Sequence, residues 1–324
     1  MFVVSNPKDC FDEIKSLLED DKPIFLGRMG GSDTNAVASL IEAQDAGDDI
    51  WRSIFKHRTI VSRLNGFYDK SNSRDQFIRY LGEMRNCYAK VQHAFLCNHQ
   101  LLSMHFAHLL GDRANREQFA GRLGLELLIA EVEAAQKSFT CYPYSVVERL
   151  SLPLSLLNIF GTVLYRKTVL VISPFEASIT KNSHNLNKVF KSFKYPEFKL
   201  KVYRTPITYD GLPMEFYPHQ NWFETVEQMK SDIETIPFDI ALLSCGSYAM
   251  PLGCFIAENL NRKAIYVGGV LQLMFGIMGR RYENPFFMDQ LNLDKCIYPV
   301  EADTYLHHVR LSPEMAREAF AAYF

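Results

Sequence analysis

The sequence predicts an α/β fold: a Rossmann-like, mostly parallel sheet flanked by helices, with a helical block inserted in its N-terminal half. Three observations carry this expectation. The second half holds four short runs rich in apolar and β-branched residues, each followed by helical spacing or a turn. The first half opens as helix, strand, glycine turn and helix. Between them, residues 51–135 carry long helical patterns with few strand signals.

Taken in order, residues 9–19 form a helix, because Phe11, Ile14, Leu17 and Leu18 recur at helical spacing. Lys22-Pro23 ends it, and Ile24-Phe25-Leu26 forms a short apolar strand. The turn GRMGGSD (27–33) leads into a helix through Val37, Leu40 and Ile41. KTVLVIS (167–173) reads as a fully buried parallel strand. A helix through Ile179, Leu186, Val189 and Phe190 follows it. FKLKVYR (198–204) alternates and is expected to be less buried; FDIALLS (238–244) and KAIYVGG (263–269) complete the set. The whole is expected to form one domain over residues 1–324. It comprises an N-terminal half (1–160), a Rossmann-like half (161–300) and a terminal segment (301–324).

Composition narrows the function. A net charge of −2 provides no global field for nucleic acid. MFVVSNPKDC has neither the basic start nor the apolar run of a secretory leader, and glycines break the longest apolar stretch (264–279). Seven cysteines without a CxxC pair fit reduced thiols acting as small buried hydrophobes. A cytoplasmic protein without a transmembrane segment is therefore expected. His105-x-x-His108, with Asp112 nearby, resembles metal spacing only superficially. His99 and His307-His308 likewise lack partners. No Walker loop, GxSxG elbow, HExxH or GxGxxG fingerprint is present.

In open parallel sheets, ligands bind at the carboxyl ends of the strands. That rule discounts Asp239, which begins a strand, and leaves four exits. At the first, Gly30 and Gly31 permit close backbone approach, Arg28 suits phosphate, and Asp33 is a candidate base or metal ligand. Helix capping by Ser32 or Asp33 is the structural alternative. At the second, Ser173, Pro174 and Glu176 form a capping box, while Ser178, Lys181 and His184 follow at three-residue steps. The third offers Ser244, Gly246, Ser247 and Tyr248, with no acidic residue in the first turn of the next helix. The fourth offers Gly268, Gly269 and Gln272, then Arg280 and Arg281 to neutralise a diphosphate. The long connection 205–221 adds Asp210, Glu215 and His219 as further candidate bases.

These blocks resemble those of the bacterial GT-D-type glycosyltransferase-like proteins, a family associated with surface polysaccharides. The likeness rests on Arg28, Gly30, Gly31 and Asp33; on Val169 to Ile179; on Phe238 through Leu252; and on Gly268, Gly269, Leu271, Gln272, Phe275 to Ile277, Gly279 and Arg281. Asn65-Gly66-Phe67-Tyr68 matches more loosely. The resemblance implies a GT-D-like fold and transfer of a sugar from a nucleotide-diphosphate donor, a UDP-sugar above others. The acceptor would be a glycan or lipid-linked sugar, at the inner membrane face or within a polysaccharide assembly complex. Metal-dependent members present Asp-x-Glu where this chain has Gly31-Ser32-Asp33, so Mn²⁺ or Mg²⁺ dependence stays open, with Asp33 as its single ligand. A non-catalytic nucleotide-sugar-binding subunit and a different phosphate-handling transferase are the alternatives.

Overall fold

In the computed structural model, which describes residues 2–3, 7–96, 123–135, 140–143 and 160–306, eight strands form one sheet. They are β1 (Phe2–Val3), β2 (Phe25–Met29), β3 (His93–Leu96), β4 (Thr140–Pro143), β5 (Thr168–Ser173), β6 (Lys199–Arg204), β7 (Ile240–Leu243) and β8 (Lys263–Tyr266). Their order is β1-β4-β3-β2-β8-β7-β5-β6, and every pairing is parallel. The architecture is α/β and Rossmann-like. Among the described residues, no helix is long and apolar enough to cross a membrane.

Burial follows position in the sheet. Every residue of β7, and all but the first of β5, is buried, which is why those runs are continuously apolar. β6, at the edge, is half-buried with exposed ends. The halves join where β2 pairs with β8, Phe25 opposite Ala264 and Leu26 opposite Ile265.

The N-terminal half departs from expectation. The block 51–135 is not purely helical, because β3 lies within it and pairs with β2 from Leu26↔His93 to Met29↔Leu96. Two further strands, β1 and β4, extend the sheet beyond it. These strands have two to four residues, too short to establish a period-two pattern. β2 also runs further than its apolar start suggests. Arg28 lies inside the strand, and the turn begins at Gly30.

The helices that position the site are α1 (Pro7–Glu19), α2 (Gly31–Ala46), α3 (Ile50–Asn65), α4 (Arg74–Lys90) and α5 (Leu123–Ala135). In the second half come α6 (Glu176–Asn182), α7 (Trp222–Glu234), α8 (Ala249–Glu258) and α9 (Val270–Met274). α2 packs against α3, α4 and α5. α5 approaches so closely that a Cβ on Gly124 would lie 2.0 Å from the Ala38 carbonyl oxygen. α8 lies on β2 and β8, with Gly253 directly against the Phe25 ring. The helix expected through Phe190 is broken: α6 gives way to a 3₁₀ turn at Ser183–Asn185 and then to Leu186–Val189.

Candidate functional site

A cavity of about 130 Å³ opens at the carboxyl ends of β2, β5, β7 and β8. Arg28, Gly30, Gly31, Ser32 and Asp33 line it from β2 and its exit. Pro174 and Phe175 contribute from β5, Ser244, Gly246 and Ser247 from β7, and Tyr266, Gly268 and Gly269 from β8. Leu64 and Asn65 at the end of α3, with Ile207 and Tyr209 of the 205–221 connection, close the remaining side.

Asp33 is the carboxylate of this cavity. Tyr80 Oη donates to its Oδ1 at 2.7 Å, and Asn65 Nδ2 donates to Oδ2. Asn65 also donates to Ser32 Oγ at 2.8 Å. Burial pushes the Asp33 carboxyl above the usual carboxylate range, against the lowering effects of Tyr80, Asn65 and the nearby Arg28 charge. Neither Ser32 nor Asp33 caps α2. Its N-cap is Gly30, in extended conformation and without a side-chain cap.

Two glycines here have no packing reason to be glycine. A Cβ on Gly30 or Gly31 would meet no protein atom within 4 Å, and neither has positive φ. The first residues of α2 line the cavity, and its N-cap makes no side-chain bond to the helix's first N–H groups.

The opposite wall is built tightly. Gly268, at φ +77°, lies beneath Arg28, where a Cβ would come within 2.1 Å of Nη1. The Arg28 guanidinium carbon also stands 5.5 Å from the centroid of the Tyr266 ring. Tyr266 Oη donates to the Gly246 carbonyl at 3.0 Å. Gly246, at φ +58°, abuts the Asn65 carbonyl, so a side chain there would displace the end of α3.

Other candidates lie elsewhere. Tyr248 is core: it stacks on Trp222 and shares a hydrogen bond with Thr208 Oγ1 at 2.7 Å. Ser247 touches the cavity, but its Oγ accepts from Trp222 Nε1 at 2.8 Å. Gln272 is buried, donates to the carbonyls of Ile277 and Met278 and lines no part of the cavity.

Ser178 is committed to Glu301. Its N–H donates to Oε1 at 3.0 Å and its hydroxyl donates to Oε2. The capping box is formed only in part: Ser173 Oγ accepts from the Phe175 amide at 3.3 Å, but α6 starts later, with Phe175 as its N-cap, and the Ser178 amide in its first turn is taken by Glu301. Lys181 and His184 are exposed and line no part of the cavity. Arg280 is also exposed and outside it, and the Arg281 side chain lies outside the described residues.

Asp210 faces away from the cavity, 3.6 Å from Arg63 Nε, and Glu215 is exposed on a one-turn helix (Met214–Phe216). His219 Nδ1 lies 3.0 Å from Thr225 Oγ1. His99, His105, His108, Asp112 and His307-His308 lie outside the described residues. Asp239 begins the β7 region as expected and accepts from the Thr168 amide at 2.6 Å.

Sequence reasoning missed Tyr80 and Tyr266, which sit mid-helix and at a strand end with no motif to mark them. Among the described residues, no group of three or more His, Cys, Asp or Glu side chains is placed to hold a metal ion. A divalent cation would find one carboxylate, both of whose oxygens already accept hydrogen bonds, near a guanidinium. That donor set does not fit a protein-built metal site. Comparisons with protein-family models, with curated proteins and with solved structures each returned no match.

Proposed function

We propose that this cavity binds the diphosphate of a nucleotide-sugar donor, a UDP-sugar above others, and that the protein transfers the sugar to a hydroxyl of a glycan or lipid-linked acceptor. The observation that carries the reading is the convergence on one small cavity of Arg28, the uncapped start of α2 behind Gly30-Gly31, and Asp33. At about 130 Å³ it falls below the roughly 300–1,000 Å³ of pockets that enclose a whole ligand. It suits a diphosphate, with the nucleoside and the sugar extending outward.

Transfer breaks the bond between the anomeric carbon and the diphosphate oxygen, and the electron pair leaves with the diphosphate. Arg28 and the Gly31 and Ser32 amides meet the charge that grows there. The acceptor hydroxyl forms the new bond to the anomeric carbon and gives its proton to Asp33. A carboxyl raised by burial is a better base near neutral pH than an ordinary aspartate. Tyr80 and Asn65 hold its orientation. No step is assigned to a metal ion.

The second reading, nucleotide-sugar binding without turnover, is favoured by the single carboxylate and by the engagement of both its oxygens. The test is thermal stabilisation by nucleoside diphosphates and nucleotide sugars, with and without Mn²⁺, followed by turnover assays. Stabilisation by UDP or another nucleoside diphosphate, indifferent to Mn²⁺ and lost in Arg28→Ala, is expected. No shift with any nucleotide would overturn both readings, and binding without turnover would leave the second.

A further inference from the structure

A second concavity, a groove of about 690 Å³, lies on the other side of the end of α3. The last turn of α3 forms a common wall: Ser62 lines the groove, while Leu64 and Asn65 line the cavity. On the connection, Tyr209 lines the cavity and Asp210 the groove. The Asp210 amide donates to the Ser62 carbonyl at 3.1 Å.

The charges of this groove are unbalanced. Arg58, Lys70 and Arg74 line it together with Asp69 and Asp210. Cations outnumber carboxylates three to two, and both carboxylates have other contacts within the fold. Asp69 accepts from the Ser71 hydroxyl and the Ser73 amide, at 2.8 and 2.6 Å to Oδ2, and Asp210 faces Arg63. Among the described residues, none of the three cations has a carboxylate within ion-pair distance. Arg58 donates to the Asn72 carbonyl at 3.1 Å, Lys70 to the Tyr217 carbonyl at 3.0 Å, and Arg74 stands 5.1 Å from the Trp51 ring centroid. Asp69 and Asp210 act on Arg58 through space without forming an ion pair, so the groove keeps an excess of positive charge in a chain whose net charge is −2.

The floor is aromatic and open. Trp51 and Phe55 meet edge to face with centroids 5.4 Å apart; Phe55 is 59 % exposed and Met214, at the rim, 60 %. Thr59, Ser62 and Asn72 supply hydroxyl and amide groups beside it. Flat apolar rings next to short polar groups match a pyranose, which has one C–H face and a hydroxyl rim. A nucleobase would use the rings but has no charge for the cations, and the donor's phosphates are assigned to the other cavity.

We infer that this groove is the acceptor site, and that the acceptor is an anionic saccharide. The inference rests on the donor reading only for the word acceptor; binding of the saccharide stands apart from it. The negative charge comes either from a carboxylate or phosphate on a glycan or from the diphosphate of a lipid-linked sugar. Both present the same chemistry to Arg58, Lys70 and Arg74.

The test measures binding of three probes to the full chain: an oligogalacturonide, a neutral malto-oligosaccharide of equal length, and a prenyl-diphosphate-linked sugar in detergent micelles. UDP-induced stabilisation is recorded in parallel. The oligogalacturonide or the prenyl-linked sugar is expected to bind with an affinity that falls as salt rises. Loss of one charge-assisted contact weakens binding about tenfold or more, so Arg58→Gln and Arg74→Gln should each do so. Phe55→Ala, at an exposed position, should weaken it without affecting the fold. UDP stabilisation should be unchanged in all three variants.

Whichever anionic probe binds identifies the source of the charge. Failure of both, or equal binding of the neutral sugar, overturns the inference, while intact UDP binding preserves the donor reading. Loss of UDP binding in Arg58→Gln and Arg74→Gln also overturns it, because the groove would then seat the donor's nucleoside. Saccharide binding without any UDP effect would sustain the groove as a saccharide site and sink the donor cavity instead.

Discussion

Gly31 separates a binding role from a folding role, because the two predict effects of opposite sign. It is the first residue of the sixteen-residue helix α2, its φ is not positive, and a Cβ there meets no protein atom within 4 Å. Gly31→Ala therefore introduces no strain, and its stiffer unfolded chain stabilises the fold by about 0.4–1 kcal/mol. An unfolding entropy of about 2.1 cal/mol/K per residue amounts to roughly 0.7 kcal/mol/K over 324 residues, so Tm rises by about 1 °C. The new methyl projects into a cavity of only about 130 Å³, in front of the amides that are to receive the diphosphate. A ligand at one hundred times its Kd stabilises by about 2.7 kcal/mol, or about 4 °C on the same entropy. Differential scanning calorimetry with and without UDP should show the free variant slightly more stable than the native chain, with the ligand-induced rise largely gone. A lower Tm for the free variant would mean that glycine serves the backbone, and an undiminished ligand shift would place the diphosphate elsewhere.

Four further outcomes follow from the same geometry. Burial raises the folded-state pKa of Asp33 above its unfolded value, so its contribution to stability falls as pH rises through that interval, and above it the charge is carried at full cost. Asp33→Asn should be at least as stable as the native chain at neutral pH and should abolish transfer, while the native rate should decline on acidification at a pH above the ordinary aspartate range of about 3.9. Asn65→Ala removes a donor that lowers that pKa, so the acid limb of the rate profile should move to higher pH; an unshifted limb would rule out Asp33 as the base. Gly253→Ala drives a Cβ to within 2.1 Å of the Phe25 ring, an overpacking that should cost about 1–3 kcal/mol in urea melts. Ser178→Ala leaves Glu301, 6 % exposed, and the Val300 amide without a hydroxyl partner; it should cost about 1–3 kcal/mol and leave UDP binding intact, whereas lost UDP binding would return Ser178 to the ligand site.

The legible parts of the fold are those whose burial matches a simple pattern. β5 and β7 are interior strands of a parallel sheet, and continuous apolar runs specify them without ambiguity. β3, β1 and β4 escaped because strands of two to four residues carry no period, and His93–Leu96 follows directly on a seventeen-residue helix whose spacing dominates any window around it. The strand-exit rule picked out Arg28, the glycines and Asp33, which line one cavity, because topology alone fixes at which end of a parallel sheet its strand exits gather. Gln272 and Tyr248 are buried and line no part of that cavity, since a residue a few positions past an exit can turn either to the cavity or to the core, and only packing decides. Ser178 illustrates a longer-range failure: its partner Glu301 lies 123 residues away, so no local reading could have removed it from the candidates.

The end of α3, matched only loosely in sequence, is where the two concavities meet. Asn65 closes the helix before Gly66, whose φ of +84° turns the chain away. That cap is visible in the dipeptide, but its consequences are tertiary. Its side chain holds Ser32 and Asp33, its carbonyl excludes a Cβ at Gly246, and the Gly66 carbonyl accepts from Thr208 Oγ1 at 2.6 Å. One turn thus contacts the carboxylate of the first β exit, the backbone of the third and the connection that runs between cavity and groove. α3 is therefore tied at one turn to all three. Across that wall, the Arg63–Asp210 pair is partly exposed and worth at most about 1 kcal/mol, against the part-buried contacts of Asn65 and the buried one of Thr208. The side chains that tie α3 to the cavity side are thus held more firmly than the ion pair on the groove side.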